Sequence, residues 1–535
     1  MRDQHDSSLK MPPLPNPLLH ATFNLNSAGV AGFFGGEEAI SAMATVHLFK
    51  GRRWLGWFNS PGSYTVAKRF GRMANSRFWD GLFPGSNDSP AVTFGLDSNM
   101  GPQYIAALSG TTMHAGHLAY LTMERIKELD EDVILGRVTN SFDVAYLNMK
   151  KVNLDAPVEL QPLQDALFGL LPITVSVVAC VICALVYDWI SFSMILIGII
   201  SSGLASLVIG KGRLVLKSTK PAPGAPPGHG LLMGEGEMVV IKGEEQDVNV
   251  ITKGHFDLKT GDEKDSQAKG SETKSGAEKD NETKGSDERS NDGESTGKNS
   301  EKGGEVKCNW TNGDVEKGDK KNSTKEDDEK KKKKKKKKGA IPSYHMIGIS
   351  SLLLLVQFLL QLLLVPQGSL FGQIMFLVSL GISWAYTSYL SSLEKEKIQI
   401  KVLFEALGNP KMLRFRTGTR TTMAVFVCLL VFHGVKRCSD EKDRMLRLKL
   451  LDKCIPNDTA VWKRWKDKVV QQLLSIDDAS KSSPSLVEDE DYGKFPEGGD
   501  RKLLEVLLKD ADAAFSGYFR VRDELHGDST DQSAT

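Results

Sequence analysis

His114 and His117, in Met-His-Ala-Gly-His, are the only close histidine pair in the chain, at a spacing that sets both on one helix face where two imidazoles could share a metal ion. No Cys, Asp or Glu completes a ligand set nearby and no HExxH occurs, so two ordinary histidines are the plainer reading. Cys180 and Cys183 form a CxxC, a redox or metal motif in a soluble setting, but they stand among Val, Ala and Ile, where cysteine acts as a small hydrophobe. Cys308, Cys428, Cys438 and Cys454 show no paired spacing, and a cytoplasmic placement leaves no disulfide to expect. Cys438, beside Lys436 and Arg437, is placed for palmitoylation.

Lys50, Arg52, Arg53, Trp54, Trp57 and Phe58, followed by Lys68, Arg69, Arg72 and Arg77, interleave charge with aromatic rings. That mixture suits anionic lipid headgroups or nucleic acid. A folded core with a basic rim is the commoner origin of such a pattern, lipid follows, and nucleic acid is disfavoured beside a membrane. No Walker motif, nucleophile elbow or strand-linked dinucleotide glycine loop is present. The sequence thus offers no catalytic, cofactor-binding or metal-binding residue, and no cofactor is expected.

What the sequence does specify is the membrane. Residues 166–187 are uncharged, Asp188 intervenes, and residues 189–210 are uncharged again. Each run reaches about 33 Å at about 1.5 Å per helical residue, enough to cross a hydrocarbon core of about 30 Å. Asp188, between Tyr187 and Trp189, is expected at a hairpin turn returning to water, with the aromatics at headgroup level. Residues 343–365 and 370–390 repeat the scheme around Pro366-Gln367-Gly368. The expected fold is all-α and transmembrane: two helical hairpins (residues 164–210 and 339–393) with a fifth candidate span at 421–435. That fifth run is only about 22 Å long as a helix, so spanning, interfacial and buried placements stay open.

Around the hairpins the chain divides into a flexible tail (1–28), a soluble N-terminal domain (29–163), a small strand-bearing insert (211–259), a disordered charged linker ending in polylysine (260–338), a basic juxtamembrane segment (394–420) and a helical C-terminal region (436–535). Apolar intervals predict a helix over 102–130 in the N-terminal domain. MVVIKG, VNVITKG and HFDLK in the insert predict two or three short strands. The linker has almost no large apolar residue to offset its conformational entropy. Residues 461–476 and 502–515 predict two amphipathic C-terminal helices, packed on each other or on the N-terminal domain rather than on a bilayer.

Lys211, Arg213, Lys217 and Lys220 after the second span, and the run from Lys330 to Lys338 before the third, favour a cytoplasmic face; the lysine run reads first as a topology signal on a solvated linker and second as a contact for anionic headgroups. The basic residues of 395–420 agree, which places both termini in the cytoplasm if the fifth segment does not span. Residues 1–28 lack the basic start and apolar core of a secretory signal. Asn281, Asn309, Asn322 and Asn457 each begin a glycosylation sequon, usable only on a lumenal face.

Two stripes of small residues recur every four positions within the spans: Gly198, Ser202, Ser206 and Gly210 in the second, and Ser379, Ser383, Thr387 and Ser391 in the fourth. Such stripes let helices approach closely, within one chain or in a homo-oligomer, and packing is a much stronger reading of them than a polar conduction path. Gln357 and Gln361, one turn apart in the third span, are expected to hydrogen-bond to a neighbouring helix. No Asp, Glu, Lys or Arg lies within the four spans, which weighs against an ion-coupled transporter.

Residues 187–212, 238–258, 362–399 and 407–427 resemble a set of multi-pass membrane proteins found in many copies in mushroom-forming fungi. The resemblance covers about half the chain and implies the architecture alone, with no catalytic or binding residue to carry across. The leading functional expectation is a non-enzymatic membrane anchor or scaffold for cytoplasmic partners. The alternatives are an oligomeric channel or transporter, and an enzyme activity in the N-terminal domain around His114 and His117.

Overall fold

The spans are followed most directly from their helices. In the computed structural model, which describes residue 18 and residues 35–259, 343–476 and 498–526 apart from 75, 86–88, 131–133, 153–157, 163–165 and 436–438, four helices are long and apolar enough to cross a membrane. They are α6 (Ala166–Leu185), α7 (Trp189–Gly210), α9 (Ser343–Leu364) and α10 (Leu370–Ser392). Phe168, Leu171, Val178, Val356 and Leu363 are exposed on their outer faces, the surface a bilayer would cover. These helices are consistent with an integral membrane protein. The linker, with Lys330, Lys338, Cys308 and three of the sequons, lies outside the described residues, as does Cys438.

The rest of the chain is not all-α. A seven-stranded mixed sheet runs in the order β2-β1-β6-β7-β4-β9-β3. Its strands are β1 (Gln103–Ala106), β2 (Thr112–His114), β3 (Ile134–Leu135) and β4 (Phe142–Asn148) from the N-terminal region, β6 (Gly230–Met233) and β7 (Glu237–Lys242) from the insert, and β9 (Met412–Thr417) from the basic juxtamembrane segment. Central β4 pairs in parallel with β7 and antiparallel with β9. A two-stranded ribbon, β5 (Arg213–Lys217) with β8 (His255–Lys259), continues from the end of α7.

Both faces of the large sheet are buried, which explains why its central strands read as nearly continuous apolar runs. Ala145, Leu147, Val239 and Ile241 face one core, with α5 (His117–Ile126), α8 (Glu245–Thr252) and α11 (Lys395–Ala406). Val144, Tyr146, Met238 and Val240 face the other, with α12 (Arg420–Phe432), α13 (Asp440–Cys454), α14 (Ala460–Ser475) and α15 (Gly499–His526). The two sets alternate as strand geometry requires.

The expected all-α class is therefore corrected to a four-helix bundle joined to a three-layer α/β/α domain. Two local reasons stand out. Ile105, Leu108 and Met113 fall at helical intervals, but Gly110 turns the chain with φ at 71°, and residues 102–130 become a hairpin followed by a ten-residue helix. VNVITKG, expected as a strand, lies mostly in α8, which carries Glu245 and Asp247 in its first turn. The fifth apolar run is α12, buried from Thr421 to Phe432 between the sheet and α15 rather than spanning. The C-terminal pair packs together, with Trp465 Nε1 donating to the Leu507 carbonyl at 2.9 Å.

Candidate functional site

Residues expected in a soluble N-terminal domain enter the helical bundle. α1 (Gly36–Val46) packs along α10, and α2 (Ser63–Met73), followed by the short helices α3 (Arg77–Leu82) and α4 (Pro90–Thr93), packs along α9, where the Tyr64 and Phe358 rings are 5.3 Å apart. Between α1 and α2, after a 3-10 turn at Arg52–Trp54, residues 55–62 form no helix or strand. This stretch follows the small-residue stripe of α7 inward. Arg53 lies against Gly210, Gly56 against Ser206, Trp57 against Gly203 and Asn59 against Gly198. A Cβ on Gly198 would lie 2.2 Å from Asn59 Oδ1, so the approach requires glycine. Twelve helical residues separate Gly210 from Gly198, a descent of about 18 Å, which takes Asn59 past the middle of a core about 30 Å thick.

Backbone without secondary structure is tolerated at that depth only where protein or water satisfies it. Asn59 is fully buried, and its N–H donates to Ser176 Oγ on α6 at 3.1 Å. The Ser176 and Ser379 hydroxyls are 3.0 Å apart, bringing in α10. Gln361 on α9 donates from Nε2 to Asn59 Oδ1 (3.2 Å) and to the Met194 carbonyl on α7 (3.3 Å), while Gln357 Nε2 donates to Gln361 Oε1 at 3.4 Å. All four long helices thus converge on one asparagine. Gln361 joins α9 to α7 through the Met194 carbonyl, and the Gly198, Ser202, Ser206 and Gly210 stripe meets the inserted segment, with Gln361 of α9 also beside Gly198.

Beside this layer, toward the sheet domain, lies a cavity of ≈ 100 Å³ with mostly apolar walls, into which Ser60, Ser202, Ser206, Tyr386 and Thr387 bring hydroxyls, with His47 and Arg52 among its residues at the helix ends. A space of that size holds several waters. Asn59 Nδ2, Ser63 Oγ, Gln357 Oε1, Ser383 Oγ and Tyr386 Oη are buried without a hydrogen-bond partner among the described residues. On the opposite side of the polar layer, Met194, Ile195, Val365, Phe376 and Leu380 close into an apolar cluster.

The two ends of the bundle are tied differently. Arg52 is buried and donates through Nε to the Gly210 carbonyl at 3.4 Å and through its Nη groups to the His47 and Gly212 carbonyls, capping the C-terminus of α7 with positive charge. Burial lowers its pKa to about 10, so it stays charged at neutral pH, whereas burial and the neighbouring guanidinium push His47 down to about 3 and keep it neutral. At the hairpin turns Asp188 does not return to water: it is 8% exposed. Its carboxylate accepts from Ser191 N–H (3.1 Å) and Oγ (3.1 Å) at the start of α7 and from Ser369 N–H (3.0 Å) and Oγ (2.5 Å) at the start of α10. Two helix N-termini share one carboxylate.

The remaining expected residues fall elsewhere. Lys211, Arg213 and Lys220 are exposed just beyond α7, and Lys217 pairs with Asp257 at 2.5 Å. Arg414 is drawn into the sheet by Asp143 at 2.9 Å. His114 is exposed on β2, whereas His117 is buried with Nε2 2.8 Å from Gln399 Oε1 and Nδ1 accepting the Asn99 N–H at 3.4 Å, so the pair shares no ligand. Among the described residues no three of His, Cys, Asp and Glu gather in a way that could hold a metal ion. Asn59, Ser176 and Tyr386 were not singled out by spacing, because none belongs to a local motif. Comparison of the chain with protein-family models, with curated proteins and with solved structures gives no match.

Proposed function

We propose that this protein is a non-enzymatic membrane protein whose helical bundle, within a single chain, provides a pathway for small solutes, with the sheet domain on the cytoplasmic side. One observation carries the reading: a segment without secondary structure runs past mid-bundle to Asn59, with a cavity bearing several hydroxyls among apolar walls on one side and an apolar closure on the other. A membrane anchor needs spans and gains nothing from irregular backbone at that depth, which is tolerated only where protein buries it or where it lines a water-filled space. The apolar cluster of Met194, Ile195, Phe376 and Leu380 has the composition of a gate that closes by excluding water. Exposed Arg53, Trp54, Arg77 and Phe78 outside α7 and α9 are set to meet anionic headgroups on the cytoplasmic leaflet, with Lys211 and Lys220. The sheet domain supports a second role as a docking platform for cytoplasmic partners.

The test is accessibility from each side of the membrane. With the native cysteines replaced, Ser206→Cys should react with a membrane-impermeant maleimide added to the cytoplasmic side and not from the other, while Ile195→Cys should react from neither. Protection of Ser206→Cys on both sides would remove the wet cavity and the pathway with it. Modification from the opposite side alone would reverse the orientation.

A further inference from the structure

The solute class follows from which atoms are offered and which are spent. The four spans contain no Asp, Glu, Lys or Arg, and Asp188, at the turn between two of them, already accepts four hydrogen bonds from Ser191 and Ser369. A cation entering the bundle would find no counter-charge there, which weighs against it. Arg52, a buried cation among the cavity's lining residues, is directed at the carbonyls of His47, Gly210 and Gly212 and opposes a second cation. An anion lacks a free partner for the same reason.

What is offered instead is neutral and of both polarities. Asn59 Nδ2 is an unspent donor, Gln357 Oε1 an unspent acceptor, and the Ser63, Ser383 and Tyr386 hydroxyls can act as either. Their positions form a sequence. Tyr386 and Thr387 line the cavity, and Ser383 lies one turn deeper on the same helix as Thr387. Leu354 lines it too, with Gln357 one turn deeper on α9, and Asn59 sits between the lining residues Phe58 and Ser60. Buried polar groups left unpaired cost about 1 to 3 kcal/mol each, so a molecule bearing donors and acceptors together, water included, gains where an ion does not.

Resting on the pathway reading, we infer that the bundle takes small uncharged solutes that both donate and accept hydrogen bonds, of the size of urea or glycerol, and that Asn59, Ser383 and Tyr386 select them. The cavity of ≈ 100 Å³ has room for a molecule of that size.

The full chain in liposomes of neutral phospholipid, studied by stopped-flow light scattering under urea, glycerol and mannitol gradients and by an internal potassium dye, tests this directly. Urea and glycerol should enter faster than in protein-free liposomes, and mannitol and potassium should not. Tyr386→Phe, which removes one hydroxyl without taking a partner from any described residue, should slow urea about threefold to tenfold, the effect of one hydrogen bond. Asn59→Leu should slow it further, and Tyr386→Phe keeps the test decisive if Asn59→Leu does not fold. Passage of potassium or mannitol, or of water alone, overturns the solute class and leaves the pathway standing. Rates equal to protein-free liposomes for every solute overturn both.

Discussion

Residues 55–62 and helix α12 invert the usual relation between hydropathy and membrane. The first contains Asn59, Ser60 and two glycines and lies deep among the spans; the second is apolar around its whole circumference and lies in the core of the α/β/α domain. α12 has thirteen residues, about 20 Å of helix, too short for a core of about 30 Å. It satisfies its own backbone, so its surroundings need only be apolar, and Phe426 meets Phe415 edge-on at 5.2 Å. Its polar start is handled locally: Thr419 Oγ1 accepts the Thr422 N–H at 3.1 Å, and Asp510 accepts from Thr419 and Thr421 while Arg137 grips it at 2.9 and 3.2 Å. Residues 55–62 have no such self-pairing, and the bundle supplies Ser176 and Gln361 instead. Hydropathy thus reports burial, and backbone satisfaction decides which kind of burial a segment tolerates.

The contrast should break first through packing. Phe426→Ala empties a fully buried site between sheet and helix and should cost about 3 to 5 kcal/mol, read as the loss of a cooperative thermal transition in detergent. A cost below about 1 kcal/mol would mean that α12 is not in a close-packed core and would reopen the spanning alternative. In the bundle the largest single loss should instead be polar. Asp188→Ala removes the N-cap of α7 and the bridge to Ser369, and should cost about 2 to 3 kcal/mol, with Asp188→Asn recovering part of it. Equal stability of the Ala variant and the parent would show that the two hairpins are held by apolar contacts alone.

How much of this was legible depends on how local each signal is. Uncharged runs of twenty residues or more reveal the four spans, and MVVIKG and HFDLK reveal β7 and β8, because the determinants lie within each segment. β9 also had its period: Leu413 and Phe415 alternate with Arg414 and Arg416, but the arginines read equally as a charge flanking a span until Asp143 across the sheet claims one of them. Asn59 had no local signal at all. Its partners Ser176 and Gln361 stand 117 and 302 residues away, and an asparagine between phenylalanine and serine is unremarkable until the chain folds. The two glutamines were visible as polar groups on a leucine face, and their true partner was not. Asp188 was visible as an interruption, while its burial depended on Ser369 in the other hairpin.

Histidines offer the gentlest comparison of the two regions. His47 near the helix ends of the bundle and His229 in the sheet domain are both held neutral by burial, with a neighbouring cation adding to it: Arg52 takes His47 to about 3, and Lys242 takes His229 to about 4. Their ordinary value is about 6.5, so between that pH and the lowered one the unfolded chain binds protons that the native chain refuses. Stability is therefore complete above about pH 6.5 and falls as pH drops through the window, ending near pH 3 for His47 and near pH 4 for His229. One such proton changes the slope by at most about 1.4 kcal/mol per pH unit. His47→Gln, neutral at every pH, should flatten the dependence of the unfolding midpoint between pH 6 and pH 4 by about one proton, and so should His229→Gln, their double variant adding the two because the sites share no partner. An unchanged slope in His47→Gln would mean that its ring is hydrated and protonates freely in the native state. The cavity beside Arg52 would then be open to water even at its most buried titratable group, while the sheet domain, judged by His229, stayed dry.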